Sequence, residues 1–168
     1  MSTAEHRQRA RGQSATAAVL TISDTRNLAT DKGGQLIKEA LTAAGHGVGA
    51  YAIVKDDARA IDRQLRAWLT DGGFHVIITT GGTGIARRDT TIEVVERLLS
   101  KKLDGFGELF RMLSWKEVGA AAMLSRAVAG LAGETLLFAL PGSTSAVRLA
   151  MEQLIIPELP HLVWERKR

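Results

Sequence analysis

Two rhythms of apolar residues alternate along this chain. Short apolar runs, at 17–22, 49–54, 75–79 and 136–140, have the length and residue types of β-strands. The third, His75-Val76-Ile77-Ile78-Thr79, has the pattern of a strand covered on both faces in a parallel sheet. Between the runs, apolar positions fall three and four apart. Leu36, Ile37, Ala40, Leu41 and Ala44 predict a helix from about Asp31 that Gly45 stops. Ile61, Leu65, Trp68 and Leu69 predict a second helix, ending at the Asp71-Gly72-Gly73 turn. Thr90-Thr91-Ile92-Glu93 reads as a capping box that opens a third. Residues 105–111 lead into a fourth. Val147, Ala150, Met151, Leu154 and Ile155 mark a last helix, which Pro157 interrupts or restarts. Trp68 and Met151 lie on apolar stripes and read as core.

Strands alternating with helices predict an α/β fold with a mostly parallel sheet and helices on both faces. Ligands of such sheets bind outside the carboxyl ends of the strands. The residues after the four runs are Ser23-Asp24, Lys55-Asp56, Gly81-Gly82-Thr83-Gly84 and Pro141-Gly142-Ser143. The polar, acidic and glycine-rich segments therefore converge on one sheet edge.

Composition narrows the function classes. The chain has 168 residues, enough for one domain with a real core, and 45% of them are apolar. It has no cysteine, which excludes disulfides and thiolate chemistry, and its four histidines lack the spacing of a helical zinc pair. The net charge of +4 divides between residues 1–13 and 165–168, so the body sums to zero. That distribution argues against a nucleic-acid face. No apolar run approaches a membrane span, and the basic start is not a secretory signal. Residues 1–14 are expected to be a disordered basic tail, residues 15–168 a single domain, and the protein cytoplasmic.

Gly81, Gly82 and Gly84 would let backbone N–H groups approach an anion, with Thr80 and Thr83 adding hydroxyls. The loop has neither the Walker A nor the dinucleotide spacing; the competing reading is a tight turn. Asp56 and Asp89 are candidate Mg²⁺ ligands beside a triphosphate, or simply helix caps. Arg87 and Arg88 could pair with phosphates or remain solvated. Ser125, Arg126, Gly142 and Ser143 could donate to an oxygen-rich ligand, with Ser143 also an N-cap at a helix start that would itself favour anions. Glu108 could hydrogen-bond an amino-bearing heterocycle, or serve as a first-turn helix acid.

Five segments occur together and in order: Thr-Gly-Gly-Thr-Gly with Asp89 at 80–89, Gly-Phe-Gly-Glu at 105–108, Phe-Arg-Met-Leu-Ser at 110–114, Ser-Arg-Ala-Val-Ala-Gly at 125–130 and Leu-Pro-Gly-Ser at 140–143. Over about residues 15–160 the chain resembles the MoaB/Mog family of molybdenum cofactor biosynthesis. The resemblance implies a three-layer α/β/α domain with a mainly parallel central sheet, assembled as trimers or hexamers. Residues 105–115 look B-type and favour the hexamer. It implies Mg-ATP-dependent adenylylation of molybdopterin, with pyrophosphate leaving; the alternative is a catalytically reduced molybdopterin-binding or carrier protein of the same pathway. By the same resemblance, Asp56 and Asp89 are the catalytic and metal-holding acids. Ser23 and Thr80-Gly81-Gly82-Thr83-Gly84 would hold nucleotide phosphates. Ser125, Glu108 and the Pro141-Gly142-Ser143 turn would line the pterin pocket. The segment Ala86-Arg87-Arg88-Asp89-Thr90-Thr91 looks like the Mog branch, whose usual form has Val at the place of Thr90.

Overall fold

The computed structural model describes residue 10 and residues 12–166. The expected basic tail at 1–14 falls mainly outside the described residues. In chain order the elements are β1 (Thr16–Ile22), α1 (Lys32–Ala43), β2 (Gly47–Val54), α2 (Ala58–Asp71), β3 (Val76–Thr80), α3 (Thr91–Leu98), β4 (Lys101–Lys102), α4 (Asp104–Val118), β5 (Val128–Ala132), β6 (Thr135–Leu140), α5 (Thr144–Ala150) and α6 (Ile156–Glu165). A 3-10 turn, Gly119–Leu124, comes directly after α4.

The six strands form one sheet in the order β2-β1-β3-β6-β5-β4. The first four are mutually parallel, while β5 runs antiparallel to both β6 and β4. Alternate side chains leave the sheet on opposite faces. Ala17, Val19, Val76, Ile78, Leu136 and Phe138 meet α1, α4, α5 and α6 through Ile37, Leu41, Phe110, Val147 and Leu159. Ala18, Leu20, Ile77, Leu137 and Ala139 meet α2 and α3 through Ile61, Leu65, Ile92 and Val95. These are the three layers. Phe106 stands edge-on to Phe138, 5.1 Å between ring centres. Met151 is fully buried, and half-buried Trp68 packs edge-on against Phe74.

Three local expectations meet the structure differently. Thr90 does precede α3, but neither half of the box forms: the Thr90 side chain makes no capping hydrogen bond, and the Glu93 side chain pairs with Arg126. Of the two readings at Pro157, the restart holds: a new α-helical segment opens with it in the first turn. Proline has no N–H, and its ring crowds the carbonyl four residues back. The helix widens into a π turn at Met151–Ile155 before Pro157 enters α6 in its first turn. β4 and β5 add to the four strands that the apolar runs predict. β5 returns into β6 through a two-residue connection whose Gly133 has φ 61°, the positive value a tight hairpin requires at that place.

Two histidines fasten the start of β1 to its neighbours. The Ala15 N–H donates to His46 Nδ1 (3.1 Å) and the Thr16 N–H to His75 Nδ1 (2.9 Å). Burial pushes the His46 imidazole below its ordinary value, and a proton on Nδ1 would remove the acceptor. A depressed folded-state pKa contributes stability above the ordinary histidine value of about 6.5, lost as the pH falls below it. Melting temperature measured against pH should therefore fall in that window for the wild type and much less for His46→Gln; parallel profiles would show that another group is responsible.

Candidate active site at the carboxyl edge of the sheet

The ends of β2, β1, β3 and β6 open into a cleft of about 450 Å³ lined by Ser23, Asp24, Arg26, Asp56, Gly81, Gly82, Arg88, Asp89, Gly142 and Ser143, among others. Both glycines at its base are obligatory. Gly81 and Gly82 have φ of 99° and 63°, where side chains are disfavoured. A Cβ on Gly81 would also collide with the Ile22 carbonyl oxygen, and one on Gly82 with Thr91 Oγ1. Gly142 packs against Gly81 from the turn after β6.

Asp56 and Asp89 meet beside this loop. Their carboxyl groups stand within hydrogen-bonding reach of each other. Burial first, and then the Asp89 charge, push the Asp56 carboxyl above its ordinary value, against a lowering hydrogen bond from the Thr90 N–H. Asp89 Oδ2 also accepts from the Ala86 N–H (2.9 Å), which closes the 86–89 turn and fixes the carboxylate. Asp56 Oδ1 is buried and has no hydrogen-bond partner, as are the Thr90 and Thr91 hydroxyl oxygens. An orphaned carboxylate oxygen beside Gly82, on an acid that also feels the charge of a second carboxylate, is costly unless something positive joins them. Among the described residues there is no cluster of three or more metal-ligating side chains, so this is a two-carboxylate site.

The remaining candidates divide. Ser23, Gly142 and Ser143 reach the cleft. Ser23 Oγ accepts from the Arg26 N–H (3.1 Å), and Ser143 Oγ accepts from the Ala146 N–H (3.2 Å) as the N-cap of α5. Thr80 lies behind it: fully buried, its hydroxyl donates to the Pro141 carbonyl (3.0 Å). Thr83 is buried, and Gly84 packs on the Asp89 carboxylate. Ser125 lines a second groove of about 350 Å³ with Lys102, Asp104 and Arg111. Glu108 lines neither; it is exposed on α4 beyond the first turn, where the acid is Asp104.

Arg126 has a role that its place in the sequence did not reveal. It donates to the carbonyls of Thr83 (2.9 Å) and Gly84 (2.7 Å) and pairs with Glu93. It braces the glycine loop and also lines the second groove beside Ser125. Hydrogen bonds from a charged group of this kind contribute roughly 1.5–3 kcal/mol each. Arg88 pairs with Asp24, whose other oxygen accepts from the Asp56 N–H (3.1 Å).

Residues 18–161 match the family model of a probable molybdopterin binding domain. The molybdenum cofactor biosynthesis protein B of Staphylococcus carnosus (strain TM300) is 61% identical over 151 residues, 88% of each chain. A crystal structure of a molybdenum cofactor biosynthesis protein B superposes with a TM-score of 0.90 at 50% identity, covering 93% of this chain and 98% of that one. The tungsten cofactor synthesizing protein MoaB from Pyrococcus furiosus superposes with a TM-score of 0.80 at 38% identity, covering 93% and 99%. With its motifs, its layers and these relatives in agreement, the chain belongs to the molybdopterin-binding family of molybdenum cofactor biosynthesis, on the MoaB branch.

Proposed function

We propose that this cleft binds Mg-ATP and molybdopterin and transfers the adenylyl group to the pterin's terminal phosphate. A phosphate oxygen of molybdopterin bonds to the α-phosphorus of ATP, and the bond from that phosphorus to pyrophosphate breaks. The observation that carries the reading is the Asp56–Asp89 pair, with its buried, partnerless oxygen, set against Gly81 and Gly82. Two carboxylates without a third protein ligand suit magnesium, which completes its shell with water and substrate phosphates. Bound there, magnesium would neutralise charge developing on the α-phosphate and the leaving pyrophosphate. Asp56 and Asp89 would hold it. Gly81 and Gly82 would admit the phosphate chain to within contact of the backbone. The Ser23 oxygen already accepts from backbone N–H groups, so its own proton is left to donate to a phosphate oxygen.

The proposal includes assembly. α4 and the 3-10 turn expose Leu109, Met112, Trp115, Val118, Met123 and Leu124. The α4 members lie opposite the face that buries Phe106 and Phe110. Patches of this kind mark interaction surfaces, and the occupant that fits the expected homo-oligomer is a second copy of the chain, in a hexamer rather than a trimer.

Pyrophosphate release from ATP with authentic molybdopterin should be measurable for the wild type. It should fall at least ~100-fold in Asp89→Asn, the range expected for loss of a group that stabilises transition-state charge. Molybdopterin binding without turnover in the wild type would instead favour the carrier role. The same carboxylate pair makes a stability prediction. Without a cation the two charges repel, so Asp56→Asn should melt above the wild type in EDTA while losing activity; a lower melting temperature would mean that the pair is held by contacts rather than strained. In light scattering the wild type should be hexameric, and Trp115→Glu should yield smaller species; a monomeric wild type would sink the assembly reading.

A further inference from the structure

Two arginines line the cleft, and they are not equivalent. Arg88 is neutralised by Asp24 and is largely exposed, at 62% of its side chain. Arg26 is 32% exposed. Its Nη2 donates to the Gly142 carbonyl (3.1 Å), and its Nη1 lies 3.7 Å from Asp31 Oδ1. Of its five N–H donors only this one has a hydrogen-bond acceptor among the described residues. Gly142 in turn packs on Gly81. Arg26 therefore stands where the glycine loop meets the Pro141-Gly142-Ser143 turn.

What holds Arg26 there is more elaborate than a helix start requires. Asp31 is the N-cap of α1, and its Oδ1 accepts from the Gly34 N–H (3.0 Å). One oxygen suffices for a cap. The other accepts from the Thr21 hydroxyl (2.6 Å) and the Tyr51 hydroxyl (2.5 Å). The Asp31 side chain is wholly buried. Burial alone would raise its carboxyl, but the hydroxyls of Thr21 and Tyr51, the Gly34 N–H and the Arg26 charge together hold it below its ordinary value. A buried carboxylate so fully ligated is a fixed negative charge, and Arg26 is the cation beside it.

The cleft also contains the carboxylates of Asp24, Asp56 and Asp89. An incoming phosphate meets their repulsion and needs a positive group that no carboxylate has already engaged at hydrogen-bonding distance. We propose that Arg26 is the cationic anchor that grips a phosphate of the substrate between the glycine loop and the Gly142 turn, with Asp31 as its positioning residue. This rests on the reading of the cleft as a site for phosphate-bearing substrates. The planar guanidinium presents its N–H groups as a fixed fork that matches two phosphate oxygens, whereas a lysine ammonium acts as a point charge without that geometry.

Calorimetric titration of the full chain with Mg-ATP and with inorganic triphosphate tests this. Arg26→Ala should weaken both ligands at least ~10-fold, as expected for loss of a charged hydrogen-bond donor. Arg26→Lys should recover only part of the loss. Arg66→Ala, on α2 and paired with Asp62, removes an arginine elsewhere and should bind as the wild type does. Asp31→Asn keeps a capping oxygen. It should weaken binding less than Arg26→Ala does, and add nothing when combined with it. Thermal melts establish that each variant is folded; should Asp31→Asn unfold, the two Arg26 variants decide the matter. Wild-type affinity in Arg26→Ala overturns the anchor, and additive losses in the double variant overturn the positioning role. A wild type that binds neither probe overturns the phosphate reading itself.

Discussion

Four strands that run parallel in matched register must end at one level, and the cleft depends on that constraint. β1 is flanked on both sides, its Ile22 opposite Val54 of β2 and its Thr21 opposite Thr80 of β3, which in turn faces Leu140 of β6. The ladders thus finish within a residue or so of one another. Apolar side chains on both faces hold the strand ends still. The turns after them have nowhere to go but into each other's company. Two carboxylates that would separate on a free loop are kept together, because one comes just after β2 and the other is drawn back by its own turn onto Gly84. Electrostatic strain at the site is stabilised by packing some distance from it.

The antiparallel edge serves the same end differently. Because β5 runs opposite to β6, its first residue, Val128, lies opposite Ala139 near the far end of β6. Arg126, two residues earlier, is thereby delivered to the carboxyl edge, where it reaches the loop after β3. A parallel strand at that place would have begun at the other end of the sheet. The short hairpin is what allows a residue late in the chain to brace a loop 43 residues before it.

Much of this was legible in the order of residues. Unbroken apolar runs marked β1, β2, β3 and β6, and three-four spacing marked the helices against them. The polar segments at the strand ends located Ser23, Asp56, Gly81, Gly82, Gly142 and Ser143. The misses share a physical cause. β4 is two lysines, which have no periodicity to read and are a strand only because β5 offers them partners. Asp31 was visible as a helix start; its partners Thr21 and Tyr51 lie 10 and 20 residues away and are joined to it only by the fold. Glu93 looked like half of a capping box until a distant guanidinium competed for it. Thr80 belonged to the glycine motif, but its side chain leaves the sheet on the α1 face with Val76 and Ile78, since a strand's last residue still alternates.

Tyr51 is the chain's single tyrosine. Its phenol is locked onto Asp31, and burial together with that neighbouring carboxylate pushes its ionisation well above the ordinary value. Tyrosinate absorbs where the neutral phenol does not, and no second phenol obscures it. The delay of that band, beyond the pH at which a free phenol ionises, is an optical readout of the bond between Tyr51 and Asp31, already present in the unlabelled protein.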